Sequence, residues 1–336
     1  MTDLDALQAV LGPGARPVRH ALTGERGIAL PPFTDHHVHL HLIDARRLAT
    51  GGIAAVVDLG GDPDALARRG TGIPRVAYAG AFLTAADGYP SGRAWAPDAA
   101  VRAVASASAA PGMAGGARTS VDEMADAGAS LVKVVLHAGG PELSDEVLAA
   151  IVDAARLRGL PVVAHAEGAG MAQRAVRAGV DTLAHVPFSE HLHGETIAAA
   201  VADGMAWIST LAIHVGSPDA AVARANLRRF AAAGGRVLYG TDLGNTQAGP
   251  QPTGVSAAEL SALQDAGICG TALVQTLTDP WPRDAAGTGP GGAAGSHDAG
   301  LATFVPGELP ADERRLPVFL AASRVVPTEE LLGDSQ

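Results

Sequence analysis

Short apolar runs rich in β-branched residues alternate with alanine-rich amphipathic stretches between about residues 33 and 241. This alternation is typical of βα units repeated around a parallel sheet. Eight strands are predicted, which is the number that closes a (β/α)8 barrel. They lie near Phe33–Leu40, Ile53–Leu59, Arg75–Phe82, Leu131–Leu136, Pro161–His165, Thr182–Val186, Ala206–Leu211 and Arg236–Thr241. The sequence therefore predicts an α/β chain folded as a distorted (β/α)8 TIM barrel.

The clearest predicted helix runs from about Ser144 to Arg158. Ser144 is placed to cap its amino terminus, acidic residues occupy its first turn, and Gly159 followed by Pro161 ends it. Its apolar positions recur at helical spacing, so one face can pack on the barrel.

Outside the βα pattern we expect a small, reduced flanking β unit. Strands are predicted at Leu301–Val305 and Leu316–Val326, paired with the N-terminal segment Arg16–Leu30. The insertion between residues 84 and 120 is too long for a bare connection and is expected to cover the active site. The predicted units are residues 1–30 (N-terminal segment of the β unit), 31–283 (barrel), 284–300 (flexible Gly/Ala/Pro-rich linker) and 301–336 (C-terminal segment of the β unit).

Composition excludes several classes of protein. A net charge of −11, a pI near 5.5 and the lack of a basic run argue against nucleic acid or an anionic membrane as partner. The single cysteine, Cys269, excludes a disulfide framework and a cysteine-rich zinc site. No apolar stretch reaches the roughly 18 residues of a membrane span, and no signal-peptide pattern opens the chain. We therefore expect a cytoplasmic protein with a small-molecule substrate, and the sequence leaves open whether it forms a homo-oligomer.

Lys133 is the only lysine among 24 basic side chains, and it lies in the apolar run Ser130–Leu136. An ammonium is costly to desolvate in such a place, whereas a lysine that loses its proton becomes a nucleophile. It can react with carbon dioxide to give a carbamate anion, or with a carbonyl to give a Schiff base.

Four histidines and an aspartate lie at predicted strand ends. Residues two apart in a strand share a face, so His37 and His39 can hold one metal ion together. His165, His185 and Asp242 end the fifth, sixth and eighth predicted strands, where the catalytic groups of these barrels belong. With the single lysine at the fourth strand, they form a candidate metal site.

The order and spacing of these motifs resemble the amidohydrolase superfamily, in particular its carboxylated-lysine, binuclear metal branch of imidazolonepropionase-like and prolidase-like hydrolases. The resemblance covers about Leu30 to Asp242. It is carried by Leu131-Val-Lys-Val, Ser144-Asp-Glu-Val, Pro161-Val-Val-Ala-His165, Ala178-Gly-Val-Asp-Thr-Leu-Ala-His185 and Gly240-Thr-Asp242. The first βα loop and the flanking sandwich look shorter than in that family, and the pattern departs from it after residue 250.

The resemblance implies a hydrolase that cleaves an amide or cyclic amide C–N bond of a small molecule with a metal-bridging hydroxide. It implies two divalent ions, zinc first and manganese, iron or cobalt as alternatives, with CO2 needed for lysine carboxylation. His37, His39 and Asp242 would bind one ion, His165 and His185 the other, and a carboxylated Lys133 both. Lys133 and Asp242 are the implied catalytic residues, with Asp242 carrying the proton to the leaving nitrogen.

Other functions stay open. A mononuclear deaminase on the same barrel would use His37, His39, His165 and Asp242 without needing the lysine. A Schiff-base lyase would use the lysine but leave the histidines without a role. A lactone or ester hydrolase and a metal-binding relative without activity are further alternatives. The candidate substrate-binding residues are Tyr89, Arg93, His137, His191 and His214, while Glu167 is expected to be a surface carboxylate more than an acid.

Overall fold

The structure is a computed structural model that describes residues 4–69, 72–245, 251–282 and 300–333. Over these residues the chain forms a mixed α/β fold. Its strands are β1 (Arg16–His20), β2 (Arg26–Leu30), β3 (Phe33–Val38), β4 (Ile53–Asp58), β5 (Arg75–Tyr78), β6 (Phe82–Thr84), β7 (Val101–Ala103), β8 (Val132–His137), β9 (Val162–Glu167), β10 (Thr182–Leu183), β11 (Ala206–Ile208), β12 (Arg236–Leu238), β13 (Leu301–Pro306), β14 (Arg324–Pro327) and β15 (Leu331–Gly333). Its α-helices are α1 (Leu4–Leu11), α2 (Pro63–Ala67), α3 (Ala117–Asp126), α4 (Asp145–Leu157), α5 (Met171–Arg177), α6 (Gly194–Ala202), α7 (Asp219–Ala232), α8 (Ala257–Asp265), α9 (Gly270–Thr278) and α10 (Leu316–Ala321).

Strands β3 to β12 form two parallel sheets. One has the order β3-β4-β5 and the other β12-β11-β10-β9-β8-β6-β7. The predicted strand Arg75–Phe82 is split into β5 and β6, so one stretch of chain takes part in both sheets. The sheets also meet at their far ends, where the His36 N–H donates to Tyr239 O at 3.0 Å. The prediction of a mixed α/β chain with parallel strands is confirmed.

Helices cover the sheets with apolar faces. In α4 the Ser144 hydroxyl accepts from the Val147 N–H at 3.2 Å, which confirms the predicted cap. Helix α7 places Phe230 flat on Trp207 of β11, with 3.8 Å between the ring centroids and 6° between the planes. Both rings are fully buried. Such packing fixes the strands whose ends carry the polar residues described below.

A separate antiparallel sheet joins the two ends of the described chain in the order β14-β13-β2-β1-β15. The strand predicted over Leu316–Val326 is wrong in its first half, because Leu316–Ala321 is helix α10. Pro317 lies in the first turn, where proline is tolerated, and Leu316 with Leu320 buries one helical face. Residues 284–299 of the predicted linker lie outside the described residues.

The segment between β6 and α3 contains β7, which extends the larger sheet beside β6. Its chain places Tyr89, Arg93 and Trp95 in the wall of a cavity at the carboxyl ends of the parallel strands. No helix in the described ranges combines the length and the apolar character that crossing a membrane requires.

Candidate active site

A cavity of about 660 Å³ opens at the carboxyl ends of the parallel strands. The structure brings all six predicted metal ligands into its wall, although they come from positions far apart in the sequence. They are His37, His39, Lys133, His165, His185 and Asp242. Each of the six is more than nine-tenths buried.

Neighbouring oxygen atoms fix the orientation of three histidine rings. The contacts join His37 Nδ1 to Ala184 O at 2.9 Å, His39 Nδ1 to Gly60 O at 3.1 Å, and His185 Nδ1 to Thr210 Oγ1 at 2.9 Å. A carbonyl oxygen can only accept, so His37 and His39 each donate a proton from Nδ1 and turn Nε2 towards the cavity. This is the arrangement by which histidines are prepared to bind a metal ion.

The Asp242 carboxylate faces the Nε2 atoms of His37 and His39. Its Oδ1 lies 3.1 Å from His37 Nε2 and 3.4 Å from His39 Nε2, while Oδ2 accepts from Asn245 Nδ2 at 2.8 Å. Burial alone would raise the pKa of Asp242, but the histidines hold it well below its usual range. Asp242 also has a left-handed φ of 53°, which a non-glycine residue rarely adopts outside functional sites. His37, His185 and Asp242 offer donor atoms within 4.8 Å of one another.

Lys133 lies on β8 among apolar neighbours and is 2% exposed. Burial lowers the pKa of its amine to about 7, although Asp242 and Asp58 oppose the shift. A large fraction of the amine is therefore neutral at physiological pH and can act as a nucleophile.

Glu167 lies two residues after His165 on β9 and shares its face of the strand. Its Oε2 is 3.1 Å from His165 Nε2 and 3.5 Å from His137 Nδ1, and these three residues form a second group of candidate donors. The Glu167 side chain is 39% exposed and also lines the cavity, a position that the expectation of a surface carboxylate did not include. The alternation of side chains along the strand was the signal that could have found it.

Buried carboxylates hold the backbone around the candidate ligands. Asp35 accepts from the His37 N–H at 3.1 Å and from the Thr241 hydroxyl at 2.6 Å. Asp58 accepts from the N–H groups of Leu40 and Gly60, at 2.8 and 3.0 Å. In the described part of the chain, neither acid forms an ion pair with an arginine or a lysine. A cavity lined by oriented imidazole nitrogens and the Asp242 carboxylate fits divalent cations.

Four of the five candidate substrate-binding residues line the cavity, namely Tyr89, Arg93, His137 and His214. The fifth, His191, is exposed in the loop before α6 and is not part of the cavity wall. The Tyr89 ring stacks on His137, with 4.5 Å between the centroids and 17° between the planes.

Aromatic residues that the sequence reasoning missed complete the wall. Phe188 packs against His214 with 4.3 Å between the ring centroids. Trp95 lies between Phe82 and Tyr89, at 5.8 and 6.0 Å from their rings. The cavity thus joins a polar floor to flat, largely apolar walls, as sites for small molecules commonly do.

Solved structures share this fold. A Xaa-Pro dipeptidase with bound methionine in its active site superposes with a TM-score of 0.64 and 19% identity, over 91% of this chain and 86% of that one. A prolidase complexed with N-methylphosphonate-L-proline gives 0.61 and 21%, over 88% and 84% of the two chains. Molinate hydrolase gives 0.61 and 15%, over 90% and 83%.

At these identities the likeness concerns the fold. Comparison with protein-family models gives no match, and comparison with curated proteins gives none either. The chemistry of the cavity therefore has to be argued from its own residues.

Proposed function

We propose that this chain is a metal-dependent hydrolase of the amidohydrolase superfamily that cleaves an amide or cyclic amide C–N bond in a small molecule. One observation carries the proposal. The Nε2 atoms of His37 and His39 converge on the Asp242 carboxylate in a cavity that also holds the buried amine of Lys133. The shared fold with a dipeptidase, a prolidase and molinate hydrolase supports the same reaction class.

The proposed architecture is a closed, distorted (β/α)8 barrel with a reduced flanking β unit. Closure is supported by the hydrogen bonds that join β3 to the chain following β12 and by the stretch shared between β5 and β6. The flanking unit is supported by the pairing of β1 and β2 with β13 and β15.

His37, His39 and Asp242 would hold one divalent cation, His165 and His185 a second, and Lys133, once carboxylated, both. CO2 would add to the neutral fraction of the Lys133 amine with loss of a proton, which leaves an oxygen-donor anion in place of a buried ammonium. Bound cations would activate a water molecule and polarise the scissile carbonyl. Zinc suits this donor set, and manganese, iron and cobalt do as well.

Asp242 would accept the proton of the attacking water and deliver it to the leaving nitrogen. Its Oδ2 is held by Asn245, which also lines the cavity, so the carboxylate has a fixed orientation towards a bound substrate. Tyr89, His137 and His214 would contact the substrate from the walls, and Arg93 would meet its polar end at the mouth. N-acyl amino acids, dipeptides and lactams fit this combination, with lactones as an ester alternative.

The test begins with metal analysis of purified protein, followed by a screen of these substrate classes. We expect about two divalent ions per chain and a ¹³C carbamate signal when the protein is loaded with labelled bicarbonate. Lys133→Ala should lose both the signal and most of the metal. The variant Cys269→Ser, at an exposed side chain, is the control and should keep both. If borohydride with a carbonyl substrate traps Lys133 covalently and the protein holds no metal, a Schiff-base lyase replaces this proposal.

A further inference from the structure

Helix α8 carries a buried acid that lies outside the cavity wall. Glu259 is completely buried, and no arginine or lysine in the described residues forms an ion pair with it. Its Oε1 accepts from the Leu211 N–H at 2.9 Å and its Oε2 from the Ala212 N–H at 2.6 Å. Burying a carboxylate with only neutral donors is costly, so the contact needs a compensating role.

Those two N–H groups open the turn at residues 211–214, which directly follows Thr210. Thr210 has φ 43° and ψ 35°, a left-handed conformation that is strained for a β-branched residue. Its own N–H donates to Gly240 O at 3.0 Å. The three consecutive N–H groups are thus all held, two of them by the Glu259 carboxylate.

Thr210 contacts one of the candidate metal ligands, His185. Thr210 Oγ1 lies 2.9 Å from His185 Nδ1 and gives the His185 ring a fixed partner on that nitrogen. Four residues further along the same turn, His214 reaches the cavity wall. A single turn therefore carries both the contact to a candidate ligand and part of the substrate wall.

Hydrogen bonds of Ser256 hold the amino terminus of helix α8 in place. The Ser256 hydroxyl caps it by accepting from the Glu259 N–H at 3.2 Å, and the Ser256 N–H donates to the Tyr239 hydroxyl at 2.7 Å. Tyr239 is fully buried and lies three residues before Asp242. The Glu259 carboxylate is therefore anchored to the same stretch of chain that supplies Asp242.

We propose that Glu259 is a positioning residue: it holds Thr210 in its left-handed conformation, so that Thr210 orients His185 and His214 stays in the cavity wall. The inference rests on the proposed function only where it treats His185 as a metal ligand. Orienting groups behind metal-binding histidines commonly change metal affinity by ~10- to 100-fold when removed.

The test compares Glu259→Gln and Thr210→Ala with Thr210→Ser, which keeps the hydroxyl. Leu263→Ala is the matched control, because it removes buried apolar atoms from the same helix without removing a hydrogen-bonding side chain. Two readouts are measured at temperatures where every variant is folded. The first is the affinity for Co²⁺ with its visible absorption spectrum, and the second is the ¹⁵N spectrum of the His185 ring in metal-free protein.

We expect Glu259→Gln and Thr210→Ala to bind the weaker of the two Co²⁺ ions ~10- to 100-fold less tightly and to change its spectrum. Both should also shift the His185 ring ¹⁵N signals, because the ring loses its fixed partner. Thr210→Ser and Leu263→Ala should keep wild-type values. Unchanged His185 signals in the first two variants, or equal losses in Leu263→Ala, would overturn the positioning role. If wild-type protein binds no metal, the proposed function fails, while the ¹⁵N comparison still decides the role of Glu259.

Discussion

Replacing Lys133 by methionine should stabilise the metal-free protein, although it destroys the proposed centre. In the folded chain, burial lowers the pKa of the amine from its usual 10.5 to about 7. At about 1.4 kcal/mol for each pKa unit, the charged amine costs about 5 kcal/mol in acid and about 4 kcal/mol at pH 7, where half of it is neutral. The attraction of Asp242 and Asp58 is already contained in that pKa. Methionine has a similar length and carries no charge, so the variant avoids this cost.

The free energy of unfolding should depend on pH, because the pKa of Lys133 differs between the folded and the unfolded chain. Because the pKa is lower in the folded chain, the unfolded chain binds more protons between pH 7 and 10.5. Wild-type stability should therefore rise across this interval relative to the variant. The advantage of Lys133→Met should be largest below pH 7 and vanish near pH 10.5. Leu136→Met, an equally buried position on the same strand, is the control and should cost less than about 1.5 kcal/mol at every pH.

Urea unfolding of protein dialysed against chelator in CO2-free buffer measures these differences. With zinc and bicarbonate added, wild type should become more stable than Lys133→Met, since only the wild-type chain can form the carbamate. Each site filled at 100 times its Kd adds about 2.7 kcal/mol to the folded state. A variant that is less stable than wild type without metal, or an advantage that does not change with pH, would refute the reasoning about the buried charge.

Three further substitutions test residues in the helices and strands that surround the cavity. Ser144→Ala removes the cap of α4 and should lower the free energy of unfolding by about 1 kcal/mol in urea titrations, with metal content unchanged. Trp207→Ala removes the ring stacked on Phe230 and should cost about 3–5 kcal/mol in the same assay. Gly240→Ala would place a Cβ against Ile208 Cγ2 of β11 and 3.1 Å from the Cβ of His37, so metal analysis should show a lower content than in wild type.

Periodic features of the chain could be predicted from sequence, because they arise from local rules. Every predicted βα strand range contains a strand, and the Ser144 cap begins its helix where expected. The same strand pattern placed Lys133 in the fourth predicted strand and Asp242 at the end of the eighth, and the structure brings both into one cavity. The roles assigned to them stay predictions.

Features that depend on distant contacts could not be predicted in this way. The run beginning at Leu316 has both strand-like and helical spacing, and its helical form is decided by what α10 packs against. His191 looked equivalent to His214 in sequence, yet only the second faces the cavity. Glu259 gave no signal at all, since its partners are backbone N–H groups of a turn 47 and 48 residues earlier.

The distribution of buried charge connects these observations. Asp35, Asp58, Asp242 and Glu259 are all buried, and in the described part of the chain the only buried lysine or arginine is Lys133. Burial raises the pKa of Asp35 and of Glu259 to about 7 and also raises that of Asp58. The histidines around Asp242 hold its pKa low, so Asp242 supplies the firmest negative charge at the strand ends. Carboxylation of Lys133 would add a further negative charge, so it is favourable only if cations enter with it. Metal binding, carboxylation of Lys133 and ordering of the strand ends should therefore occur together, because each removes a free-energy cost that the others create.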